Sequence, residues 1–186
     1  MKKLLLLLLI SFTVISQTRA QTDPNNIPKP PITELKNFNP YMGTYQVTSD
    51  FLGRKFQGSL EWKPAIKNWF LQWTMLLQDE SKKIDRELRI MMTWDAGLQK
   101  YRLWRFETTP PASPEESEGE TKFVNNELLQ EWKFKDEKGN YIFRNRMKMT
   151  SPDKLLIISE EERESKITQI GITTCTRTVT KNKYTL

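Results

Sequence analysis

The chain has 186 residues, 37% hydrophobic and 28% charged, which is enough for one domain and too apolar for wholesale disorder. It contains no histidine and a single cysteine, Cys175. That composition excludes a Ser-His-Asp triad, a histidine zinc site, a histidine-ligated haem, an internal disulfide and a thiolate metal cluster.

Residues 1–20 have the three parts of a secretory signal peptide. Lys2 and Lys3 are the charged start, Leu4 to Ile15 the apolar stretch, and Thr18-Arg19-Ala20 a cleavage site after Ala20. The apolar run is short for a membrane span. The expected location is therefore secreted or periplasmic. Removing Lys2, Lys3 and Arg19 lowers the formal net charge from +6 to +3, so little electrostatic drive toward nucleic acid remains. Residues 21–31 hold Pro24, Pro28, Pro30 and Pro31 and read as a flexible leader. Ile32 to Phe38 is expected to form a short helical turn covering one end of a domain that spans 32–186.

From Tyr41 onward the periodicity is two. A first strand is expected at about 43–49 and a second at about 54–62, joined through Leu52-Gly53. Trp69, Leu71, Trp73, Met75 and Leu77 share one face of the third. Arg86, Leu88, Ile90, Met92 and Trp94 share one face of the fourth. Asp95-Ala96-Gly97 leads into a fifth at about 99–106, where two phases compete: Arg102, Trp104 and Phe106, or Tyr101, Leu103 and Arg105. Residues 108–120 read as a long acidic loop with three prolines, a solvated insertion or a flap. Strands follow at about 128–135 and 141–149 around Lys138-Gly139-Asn140, then at 155–159 and from about 166 to 180. Glu160-Glu161-Glu162 reads as a solvated strand end.

Consecutive strands with one apolar face bury it by closing on themselves. The fold expected is all-β: an antiparallel up-and-down barrel of eight to ten strands, with a two-sheet sandwich as the competitor. Such a barrel encloses side chains alone or one small ligand.

Gly43-Thr44-Tyr45, after Phe38-Asn39-Pro40, resembles the opening strand of a lipocalin-like (calycin) barrel, with tyrosine where that family carries tryptophan. The resemblance implies an arginine on the last strand packed over that aromatic, and Arg177 in Thr174-Cys175-Thr176-Arg177-Thr178 is placed for it. Glu61-Trp62-Lys63-Pro64, Thr93-Trp94-Asp95 and Tyr101-Arg102-Leu103-Trp104-Arg105-Phe106 are similar in order to the DUF1579 family of bacterial lipocalin-like barrels. That resemblance implies the barrel and assigns no activity. The five residues from Ser49 to Gly53 leave no room for the lid helices of fatty-acid-binding proteins.

Six tryptophans and several inward methionines read either as core or as the wall of an apolar cavity. On the second reading Trp73, Trp94, Trp104, Phe143 and Met147 line the cavity, and Arg102 or Arg86 holds an anionic end. Gln130 and Asn145 are further polar residues in the inward phase. Tyr45 and Arg177 form a structural clasp at a barrel end. No carboxylate spacing forms a catalytic pair, and no catalytic residue, metal ligand or cofactor is assigned. The expected role is an exported, non-enzymatic protein binding a small apolar or amphipathic molecule. The alternatives are a filled barrel acting on a protein partner through its surface and the 108–120 loop, and a histidine-free hydrolase or isomerase.

Overall fold

A computed structural model describes residues 32–79, 81, 85–108 and 117–178. The expected signal segment and leader, and most of the acidic loop, lie outside those residues.

Among the described residues ten strands form one closed antiparallel barrel, in which every strand pairs with its neighbours in sequence and the last pairs with the first. The strands are β1 (Gly43–Phe51), β2 (Arg54–Ala65), β3 (Phe70–Asp79), β4 (Asp85–Asp95), β5 (Lys100–Glu107), β6 (Glu118–Val124), β7 (Glu127–Asp136), β8 (Gly139–Ser151), β9 (Lys154–Arg163) and β10 (Lys166–Arg177). A 3-10 helix, Thr33–Tyr41, precedes them. The closed barrel fulfils the fold expectation and sets the strand count at ten. No described helix is long and apolar enough to cross a membrane.

The alternation read from the sequence is the alternation of burial. In β1 Gly43, Tyr45, Val47 and Ser49 are buried while Gln46, Thr48 and Asp50 are exposed. In β3 Leu71, Trp73 and Met75 are buried. The hairpins use backbone conformations matched to the strand twist. Leu52-Gly53, Asn125-Asn126 and Glu164-Ser165 each join two paired strands with both residues at positive φ. Of these six residues one is glycine. Asparagine tolerates the left-handed region at some cost, and leucine, glutamate and serine bear more.

β6 was not delimited in the sequence. Its residues 118–120 fall inside the segment expected to be loop, so that loop ends earlier than anticipated. Its inward positions are Gly119, Thr121 and Phe123, and of these only Thr121 is a buried side chain. Gly119 is required by packing: a Cβ there would lie 2.8 Å from Trp132 Cδ1 and 2.9 Å from Leu103 Cδ1. A strand whose inward positions hold a glycine, a threonine and one phenylalanine carries little apolar signal.

The Glu160–Glu162 run is a second correction. It does lie at the end of β9, but its side chains are buried or half-buried and not solvated. Glu160 accepts from Arg146, and Glu162 pairs with Arg144 at 2.5 Å. The three glutamates persist in one strand because arginines on β8 and at the end of β9 face them.

The 3-10 helix plugs one end, as expected. Leu35, Phe38 and Tyr41 are buried in it. Phe38 stacks on Trp62 at 6.2 Å and meets Tyr101 edge-on at 5.1 Å. Tyr101 in turn donates its hydroxyl to Glu34 O at 2.8 Å. The clasp sits beside the plug. The Arg177 guanidinium lies 4.9 Å over the Tyr45 ring. It donates to the carbonyls of Met42, Pro40 (2.7 Å) and Pro152 (3.2 Å). Tyr45 donates to Tyr41 O at 2.9 Å. Burial pushes the Tyr45 phenol up to about 12, with Arg177 pulling the other way.

Candidate functional site

Among the described residues the opposite end is open. The hairpin β1–β2, the ends of β3, β5, β7 and β9, and the starts of β4, β8 and β10 surround a cavity of about 270 Å³ that penetrates to the barrel's middle. Its wall is aromatic and aliphatic: Phe51, Phe56, Phe134 and Phe143 near the mouth, with Trp73 and Met75 deeper. Polar side chains in the same wall pair with one another. Ser49 Oγ and Thr173 Oγ1 are 2.7 Å apart, and Ser159 donates to Asn145 Oδ1 at 2.8 Å.

One basic side chain enters this apolar space from β5. Arg105 lies 5.1 Å from the Phe134 ring centroid, 5.6 Å from Phe143 and 5.9 Å from Trp132. It pairs with Glu107 at 2.7 Å, and Arg86 reaches the same carboxylate at 3.2 Å. Arg105 Nε has no hydrogen-bond partner. Burial pulls the Arg105 guanidinium below its ordinary value, with Glu107 opposing. Arg86 is farther out, 5.7 Å from the Phe51 ring.

A second charged group stands across the mouth. Arg163 pairs with Glu161 at 2.5 Å and with Asp136 at 2.6 Å, and lies 4.2 Å over Tyr141. Hydrogen bonds to Asp136 and then Glu161 raise the Arg163 guanidinium, and burial raises the Tyr141 phenol. This group is more exposed than the Arg105–Glu107 pair, so water screens it more.

Buried polar atoms without partners cluster in the same interior. Trp73 Nε1, on a side chain 1% exposed that lines the cavity, has none. Trp62 Nε1, Trp132 Nε1 and both amide atoms of Gln130 share that condition. An unpaired buried donor costs about 1–3 kcal/mol, so this interior holds polar groups at a cost in stability.

The expected site residues divide. Trp73, Arg86 and Phe143 line the cavity. Met147 points inward but is fully buried below it, with its carbonyl 3.5 Å from the Tyr41 hydroxyl. Trp94 points inward at the plugged end, edge-on to Tyr101 at 4.8 Å. Arg102 and Trp104 belong to the outer face, a correction of both. Arg102 is held outside by Glu118 and by Asp95 at 3.6 Å, and Trp104 packs on Phe70 at 6.1 Å. The deciding fact is the hairpin register. Trp94 is inward and pairs directly with Tyr101, and directly paired residues share a face. Tyr101, Leu103 and Arg105 therefore point inward. Arg105 was missed for want of that register.

The site offers no catalytic geometry that these contacts define. Both lining arginines serve ion pairs, and among the described residues no group of three histidine, cysteine, aspartate or glutamate side chains is arranged to hold a metal. Cys175 is buried, and burial pushes its thiol up to about 12, far from a reactive thiolate.

No family model and no curated protein matches the chain. Among solved structures it is similar to the S-type phycobiliprotein lyase CPES from Guillardia theta, at 10% identity and a TM-score of 0.51, over 83% of this chain and 100% of the lyase. It is also similar to a de novo designed fluorescence-activating β-barrel, at 12% identity and a TM-score of 0.40, over 77% of this chain and 98% of the design. A third is EF1p2_mFAP2b bound to DFHBI, at 14% identity and a TM-score of 0.41, over 77% and 98%. The likeness to the lyase speaks for the fold alone.

Proposed function

We propose that the protein is an exported, non-enzymatic binding protein that holds a small apolar or amphipathic molecule in the open end of its barrel. The observation that carries this reading is the cavity of about 270 Å³ with aromatic walls, a buried indole N–H without a partner and an arginine among its rings. Concave, mostly apolar pockets with a few placed polar groups are the usual form of small-molecule sites. Residues that only filled a core would close this space, as they do at the plugged end. Export rests on the signal-like residues 1–20, and membership of a DUF1579-like family on the short motifs around Trp62, Trp94 and Tyr101.

Native mass spectrometry of the protein purified from its own host tests the reading. A reproducible mass excess lost on denaturation is the expected result and gives the ligand's mass. A bare polypeptide mass, together with no binding of small apolar probes by calorimetry, overturns it.

A second reading has one observation in its favour. Ile66 and Phe106 are 62% and 53% exposed and line one shallow outer depression with Met91. Exposed apolar side chains grouped in this way are a feature of protein-contact surfaces. A filled barrel acting through its wall would use them.

A further inference from the structure

The open cavity has a size and a charge that narrow its occupant, given the binding reading above. A cavity of about 150 Å³ accommodates benzene. The volume here, about 270 Å³, has room for one ring and a short polar arm. In proportion it holds about eleven non-hydrogen atoms, fewer than three fused rings or an extended long acyl chain contain. The walls favour a ring, because Phe134, Phe143 and Trp73 present π-faces and edges to the space.

The charge follows from the ion pairs. Arg105 and Arg86 share a single carboxylate, that of Glu107. The Arg105 and Glu107 side chains are 13% and 9% exposed and that of Arg86 33%, so Arg105 is the cation held away from water and Arg86 the one that solvent reaches. Glu161 also lines the cavity; it shares Arg163 with Asp136, so that group carries one excess carboxylate, but its members are 24–41% exposed and water screens it more than the Arg105–Glu107 pair. The Arg105–Arg86–Glu107 group thus carries a net positive charge beside the cavity, with the Arg105 guanidinium among three rings. An anion placed there gains charge-assisted hydrogen bonds in a medium of low dielectric.

We propose that the occupant is a one-ring aromatic monocarboxylate, with its ring among Trp73, Phe134 and Phe143 and its carboxylate received by Arg105 and Arg86. Arg105 is the residue that selects an anion over a neutral analogue of the same shape. Glu107 competes with the ligand for both arginines and so sets how tightly the anion is held.

Isothermal titration calorimetry of the unliganded protein with phenylacetate, phenylacetamide and laurate tests this. Phenylacetate is expected to bind roughly ten- to hundredfold more tightly than phenylacetamide, the range of a charge-assisted contact. In Arg105→Met that ratio falls toward one while phenylacetamide binding persists. In Glu107→Gln phenylacetate binds more tightly and phenylacetamide does not change, which keeps the test open if Arg105→Met fails to fold. Equal binding of phenylacetate and phenylacetamide overturns the anion and leaves the binding reading standing. Laurate binding as tightly as phenylacetate overturns the single ring. No binding of any probe, with no mass excess in the host-purified protein, overturns both.

Discussion

The two ends of the barrel are made by the same ten strands and differ in what occupies them. At one end Leu35, Phe38 and Tyr41 of the 3-10 helix drop into the barrel, Trp62 and Trp73 stack at 5.9 Å beneath them, and Arg177 ties the last strand to the carbonyls of the helix segment. At the other end the inward side chains are as large, yet Phe51, Phe134 and Phe143 leave a void between them. The difference is not hydrophobicity but supply. An external segment fills the first end, and no described segment fills the second. A ten-stranded barrel is wider than its own inward side chains can close, so the end that receives the helix holds a packed core and the other keeps a cavity among the described residues.

The largest expected effect separates the ends by stability. Phe38→Ala removes a fully buried ring from the plug and should cost about 3–5 kcal/mol in denaturant unfolding. Phe143→Ala, half-buried beside an existing void, should cost less than about 2 kcal/mol and enlarge the cavity. Equal losses would mean that the open end is as tightly packed as the plug.

The clasp gives the next contrast. Arg177→Ala should lower stability by about 2 kcal/mol, since it removes charge-assisted bonds to three carbonyls and the contact with Tyr45. Arg86→Ala at the mouth, a partly exposed partner of Glu107, should cost less than about 1 kcal/mol. A larger loss for Arg86 would move the structural burden to the open end.

The smallest effect is a pH dependence. The Cys175 thiol sits at about 12 against an ordinary 9.0, and the Tyr45 phenol at about 12 against 10.0. Both are neutral when folded, and the unfolded chain releases these protons first. The native state therefore holds more protons between pH 9 and 12, so stability is full below about pH 9 and falls as pH rises toward 12. Urea unfolding at pH 10 should show a loss of about 1 kcal/mol relative to pH 8. In Cys175→Ala the decline should begin about one pH unit later; an unchanged onset would mean that the thiol is not desolvated.

How much of this was legible in the sequence follows from how each residue signals its place. Strands such as β3 and β8 alternate large apolar residues with polar ones, so their inner faces were named correctly, down to Asn145 among Phe143 and Met147. The helical plug and the Tyr45–Arg177 pair were also legible, one from its position before Gly43 and one from a family resemblance. Strand β6 was not, because Gly119 and Thr121 face inward where a neighbour's tryptophan takes the space. The central residue of the cavity was missed for a different reason. β5 carries an arginine in each phase, and only the pairing of Trp94 with Tyr101 chooses between Arg102 and Arg105. Alternation identified the strand that carries the inward arginine, and a single step of register separated the outer wall from the inner one.

The closure of the barrel has a consequence for how the molecule forms. Nine of its ten strand pairings link neighbours in sequence and can zip together as hairpins. The tenth joins β1 to β10, with Arg177 reaching Met42 from 135 residues away. Loop-closure entropy makes so distant a contact slow to form. Until the last strand arrives, β1 presents an open edge ready to pair with another chain. Threonine-rich β10, with Thr174 and Thr176 turned outward, keeps the late-arriving edge polar. The same ring that leaves the finished protein without edges makes its C-terminal strand the step on which solubility during folding depends.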